Sequence, residues 1–176
     1  MSGHNKWSKI KHKKAATDAK KSKVFGKLAR LIASESKRAK GDTSAPSLRA
    51  AIEKARAENM PSENIDRAVA KGNADTAQAL EEVRYETYGP GGVAIIIDGL
   101  TDNRNRTAAE IKHLLTKHSY ELAAPGSASW AFESTENGWV PKTMLDLNDN
   151  DLEKLSVLVE ALEEHDDVQS VYTNAD

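Results

Sequence analysis

Five lysines, a tryptophan and two histidines share the first fourteen residues, and their joint chemistry is that of a polyanion binder. Lys6, Lys9, Lys11, Lys13 and Lys14 can neutralise phosphates and release the counterions condensed on them. Trp7 can stack on an unpaired base or pack into a core, and residue type leaves both open. His12 sits among these lysines and joins the candidate set. A second cationic group, Lys20, Lys23, Lys27 and Arg30, recurs every three or four residues, the spacing of one helix face. Almost no acids share that face, so a ladder of i,i+4 ion pairs is not available to it. A third group is Arg104 and Arg106, in the run Asp102-Asn103-Arg104-Asn105-Arg106 ahead of a predicted helix. Helix N-termini favour anions, and arginines there would add bidentate phosphate contacts. The competing reading is an Arg–Asp clamp using Asp98 or Asp102.

Other chemistries find little support. Cysteine is absent, which removes disulfides, thiolate metal sites and cysteine nucleophiles. The five histidines are scattered, and His113 and His118 are too far apart to share a helix face as i,i+4 ligands. Gly89-Pro90-Gly91-Gly92 lacks the Lys-Ser/Thr of a phosphate-binding loop. It reads as a tight turn before a central strand, or as a place where backbone approaches a ligand closely. The sequence therefore predicts no enzyme, no metal, no cofactor and no small-molecule substrate. No apolar run is long enough for a bilayer span, and the opening residues predict no secretory leader. A mitochondrial presequence would favour Arg and Ser on an amphipathic helix, which the lysine-rich opening does not match. A cytoplasmic protein is expected.

Charge is distributed unevenly. Residues 1–40 carry a net +11, residues 41–80 a net −1, and residues 81–176 a net −12, within an overall −2. Such a separation raises the local field and suits a polyanionic partner for the basic end.

These groups must be positioned by the elements around them. Residues 1–14 show no apolar helical period and read as an extended arm. From about Ala15 to Lys40 a helix is predicted, with Val24, Phe25, Leu28, Leu31 and Ile32 as its apolar stripe. Two shorter helices follow, from Ser47 and from near Pro61, the latter stopping at Gly72. Residues 15–72 thus form a helical domain, and residues 73–82 a linker. From residue 83 the apolar period changes to two. Val83–Tyr88 is a strand, Val93–Asp98 a β-branched strand buried on both faces, and Thr107 with Glu110 a capping box for a helix. Ser127–Glu133 is expected to be a strand with Ala128, Trp130 and Phe132 on one face. A short strand at Trp139–Val140, a helix through Leu152–Leu162 and a strand at Val168–Thr173 complete the chain. The last helix shows an acidic face, read as solvated or as a contact for a basic partner, the arm included. The fold class is α+β: an N-terminal three-helix domain with a basic arm, then a ferredoxin-like βαββαβ domain over residues 83–176 with one extra N-terminal strand.

Five stretches together resemble the YebC/PmpR family, whose mitochondrial relatives are translational activators of cytochrome c oxidase. They are Gly3-His4-Asn5-Lys6-Trp7, Ile10-Lys11-His12-Lys13-Lys14-Ala15-Ala16, Tyr85-Glu86-Thr87-Tyr88-Gly89-Pro90-Gly91-Gly92, Asp102 to Thr107, and Asp166 to Asn174. The resemblance implies a cytoplasmic, DNA-binding transcriptional regulator. It also implies a second role, as a translation factor on ribosomes stalled at sequences such as proline runs, with rRNA or tRNA as partner. Family members carry a third domain inserted within the second. Here Phe132 leads through a few turn residues to Trp139-Val140-Pro141-Lys142, so the chain resembles a short form without that insert.

Overall fold

The computed structural model describes residues 6–13 and 18–176, with the side chains of residues 12 and 13 excepted. The described chain forms two compact units. One comprises Glu81–Asp176 together with Lys6–Lys13, and the other runs up to Leu80.

The helical unit contains α2 (Asp18–Ala39), α3 (Pro46–Ala57) and α4 (Ser62–Asn73). Leu28 and Ile32 of α2 meet Leu48, Ala51, Ile52 and Ala55 of α3 and Ile65 and Ala68 of α4. The predicted stripe is largely this core, although Val24 is 39% exposed and stays outside it. The packing of α2 on α4 depends on Gly72. A Cβ there would lie 2.1 Å from the Ala33 carbonyl oxygen, so only glycine lets the two backbones approach this closely.

The second unit is built on β1 (Glu81–Tyr88), β2 (Ala94–Thr101), β3 (Leu122–Ala123) and β6 (Val168–Thr173). They form an antiparallel sheet in the order β3-β1-β2-β6. Ile95 and Ile97 of β2 point to one face, where α5 (Arg104–Lys117) and α6 (Asp149–Glu164) contribute Ile111, Leu115, Leu155, Leu158 and Leu162. Ala94 and Ile96 point to the other face, against Ala128, Ala131 and Phe132. The apolar run of β2 is thus buried on both sides, as its composition requires.

The α+β class and the helical-then-mixed order stand, but one pairing differs from the sequence reading. Residues 127–141 do not supply strands of the main sheet. They form a separate hairpin of β4 (Phe132–Thr135) and β5 (Gly138–Pro141) that lies against the sheet face. The early strand β1 takes the inner place instead, between β2 and β3, so it splits the β2–α5–β3 unit. Apolar alternation shows that a segment is extended but not which strand it pairs with. A 3-10 turn at Ser129–Ala131 also interrupts the expected strand, which turns Trp130 outward while Ala128 and Phe132 stay buried.

A further correction concerns the arm. Lys6–Lys13 is not extended but forms a helix, α1, and it packs on α6. Trp7 and Ile10, three residues apart, enter the core cluster that holds Leu152 and Leu155. An eight-residue helix is marginal by itself, and burial of its apolar face is what stabilises it.

The turn at Gly89–Gly92 is a structural element of this unit. Gly91 and Gly92 adopt φ of 67° and 83°, the left-handed region that glycine enters without strain. A Cβ on Gly91 would meet Leu147 at 2.6 Å, so the turn also packs closely on the segment before α6.

Candidate nucleic-acid interface

The basic candidates of the N-terminus divide by burial. Lys6, Lys9 and Lys11 are exposed on α1, whereas Trp7 is only 9% exposed. Base stacking by Trp7 is therefore corrected to a packing role: the ring anchors the helix and the lysines remain outside. A shallow cleft of about 290 Å³ opens beside this anchor, lined by Ile10 from α1 and by Asp149, Leu152, Glu153 and Ser156 from the start of α6. The acidic helix is thus the seat of the basic one. The side chains of His12, Lys13 and Lys14 lie outside the described residues. Lys20, Lys23, Lys27 and Arg30 are partly buried along α2.

The α5 end resolves the two readings of Asp102–Arg106. Asn103 caps α5, its side-chain oxygen accepting from the Arg106 N–H at 3.0 Å. The cap is therefore Asn103 and not Thr107. The Thr107 hydroxyl donates to a carboxylate oxygen of Asp167 at 2.7 Å and lies 2.7 Å from the Thr101 hydroxyl. Arg106 donates to Asp167 at 2.8 Å and pairs with Asp102 at 2.8 Å, with Glu110 at 3.8 Å. Asp167 is buried, so this arginine works as a clamp that ties the start of α5 to the turn before β6. Asp98, the other expected partner, is held by Arg84 through bonds of 2.6 and 3.2 Å. Arg104 is well exposed and pairs with exposed Glu81 at 3.3 Å. Such a pair contributes little, so a phosphate could displace Glu81.

Three residues that no local sequence pattern groups, Glu110, His165 and Asp167, have ligand atoms within 4.8 Å of one another. The Asp167 N–H donates to His165 Nδ1 at 3.1 Å, which leaves the ring proton on Nε2, 2.6 Å from Glu110. These groups are engaged with one another and with the Arg106 guanidinium. A cation placed among them would meet that positive charge directly.

Sequence reasoning also missed Glu86. Alternation along β1 puts it on the hairpin face, where it is buried and accepts from the backbone N–H groups of Ala128 at 2.7 Å, Gly126 at 2.9 Å and Ser129 at 3.2 Å. Burial alone would raise its carboxyl pKa. The three backbone donors outweigh burial and hold it below the usual glutamate range. Glu86→Gln is expected to cost about 1.5–3 kcal/mol, because a charge-assisted network loses an acceptor and gains a misplaced NH2 group. The sign with pH follows from the lowered pKa. The stabilisation is full above the ordinary value of about 4.3 and is lost as pH falls through the lowered folded value. Denaturant unfolding at neutral and acidic pH checks this, with a difference between wild type and variant that shrinks on acidification.

A chain made of a separate helical unit and an α+β unit with a cationic helix seated on it belongs to a recognisable class. The family model described as the TACO1/YebC protein N-terminal domain matches residues 5–75. The model described as the TACO1/YebC second and third domain matches residues 80–136 and 132–175. The chain belongs to the TACO1/YebC family. A relative from Dictyoglomus turgidum, named "Probable transcriptional regulatory protein", is 38% identical across 100% of this chain and 96% of its own length. One from Geobacter sulfurreducens with a similar name, "Probable transcriptional regulatory protein GSU1074", is 37% identical across 100% of this chain and 96% of its own. A crystal structure of a conserved hypothetical protein, Aq1575 from Aquifex aeolicus, has a TM-score of 0.79 at 33% identity and covers 97% of this chain and 96% of that one. The Dictyoglomus alignment runs over 239 positions against 176 residues here, which leaves 63 positions without a counterpart. The second family model breaks at 132–136, in the β4–β5 hairpin. The hairpin therefore closes the unit where longer relatives continue into further residues.

Among the described residues, no helix is long and apolar enough to cross a membrane.

Proposed function

We propose that this protein is a nucleic-acid-binding regulator that grips the phosphate backbone through the lysines of α1 and the cationic face of α2. Its relatives are named probable transcriptional regulatory proteins, and DNA is the target that such a role would take. The observation that carries the reading is the division of labour within α1. Trp7 and Ile10 bury the apolar face, while Lys6, Lys9 and Lys11 point to solvent on a helix with no acidic residue. Arg104 is a secondary contact on the same unit. The protein acts as a binder in the cytoplasm and carries out no catalytic step.

A second reading is supported by the residue types. The basic surface is mostly lysine, which reads phosphate and not base edges. Sequence readout uses Arg, Asn or Gln at the edges of bases. Lysine-dominated binding suits a translation factor held on ribosomal RNA at least as well as a promoter-specific regulator.

Gradient sedimentation of cell lysate separates the two. Co-migration with ribosomal subunits that survives nuclease removal of DNA supports translation. Co-migration with chromosomal DNA, without ribosome association, supports transcription. A protein that stays at the top of the gradient at low salt contradicts both.

A further inference from the structure

We propose that Trp130 and Tyr88 form a stacking platform for an unpaired nucleobase, a contact separate from the lysines of α1. The proposal rests on the nucleic-acid reading above and adds a site to it. Trp130 is 53% exposed and Tyr88 is 37% exposed, in a unit whose other two tryptophans are buried or partly buried. Exposure alone would mean little, but this ring is fixed. Its indole N–H donates to the Tyr88 hydroxyl at 2.8 Å, and that hydroxyl donates to the Ser127 carbonyl. The segment carrying Ser127 and Trp130 is in turn held by the buried carboxylate of Glu86 through the N–H groups of Gly126, Ala128 and Ser129. A hydrogen-bonded chain from the sheet to the ring thus presents a large apolar surface to solvent in one orientation, with little ordering entropy left to lose on binding.

The chemistry selects the ligand. The indole donor is already used within the protein, so the ring offers its π-face. Every nucleobase has a matching face, and stacking on aromatic side chains tolerates any sequence. Exposed Lys142 follows β5, and its backbone N–H donates to the carbonyl of Ala131, the residue next to Trp130, at 2.9 Å. Stacking does not depend on charge, so it gives the acid-rich unit a way to hold a nucleic acid whose phosphates lie on lysines. Bases inside a duplex are already stacked, so the platform is specific to single strands.

The test titrates the full chain with a short oligouridine and with a duplex of the same length, comparing wild type, Trp130→Ala and Trp130→Phe. Trp130→Ala is expected to bind the single strand about tenfold more weakly, with duplex affinity and salt slope unchanged. Trp130→Phe keeps an aromatic face and should retain most of the affinity. The proposal is overturned if Trp130→Ala binds oligouridine as tightly as wild type, or if it loses duplex binding equally. Loss of affinity for a proline-rich peptide, with oligouridine binding intact, would overturn it too and assign the platform to protein. A wild type that binds neither nucleic acid would sink the nucleic-acid reading itself, and the platform with it.

Discussion

Trp7→Ala is expected to destabilise the unit that holds Glu81–Asp176 by about 3–5 kcal/mol, the usual cost of removing a large aromatic side chain from a core. Trp7 is among the buried residues of the cluster formed by Leu152, Leu155 and their neighbours on β2 and α5. Whole-domain stability is about 5–15 kcal/mol, so this one change removes a large share of it. Chemical denaturation measures the loss. Affinity should fall as well, although the ring need not touch nucleic acid. Without its anchor α1 reverts toward an ensemble, because eight residues do not hold a helix alone. The three exposed lysines then pay an ordering cost on binding that the seated helix avoids. A stacking tryptophan would differ in stability alone: its removal would weaken binding but leave the unfolding midpoint unchanged.

The second expected result separates charge from packing. Replacing Lys6, Lys9 and Lys11 with glutamine keeps Trp7 and Ile10 in place, so stability should change little. Each lost phosphate contact lowers the slope of log K against log salt by about 0.7–0.9. Three contacts account for a slope of about 2–3. Between 50 and 200 mM salt, wild-type affinity should then fall about 20- to 40-fold more than that of the triple variant. Fluorescence anisotropy at the two salt concentrations reads this directly. Equal slopes would mean that these lysines face no phosphate.

Much of this arrangement is legible in the sequence, and the parts that are not share a cause. The stripe Leu28–Ile32 and the β-branched run of β2 signal their burial because neighbouring residues repeat at one period. The clamp reading of Arg106 was available because Asp102 is four residues away, but Asp167 is 61 residues away and no local pattern points to it. Glu86 is one residue of an alternating strand, and alternation cannot show that a loop forty residues later brings three N–H donors to it. The hairpin of β4 and β5 carries strand-like composition and yet stays out of the main sheet, because pairing is decided by tertiary packing. α1 is the most instructive case. Trp7 and Ile10 stand at helical spacing, but two apolar residues in a lysine-rich stretch carry less weight than the charge around them. The signal was present and too short to read.

The central claim is that a lysine surface holds nucleic acid by its phosphates and does not read sequence. Equilibrium titration of the full chain against two oligonucleotides of equal length and unrelated sequence, across a series of salt concentrations, tests it most directly. The account predicts matching affinities for the two sequences and a steep, shared decline with salt. A shallow salt dependence, or a preference of about a thousandfold or more for one sequence, the range of specific DNA-binding proteins, would contradict it.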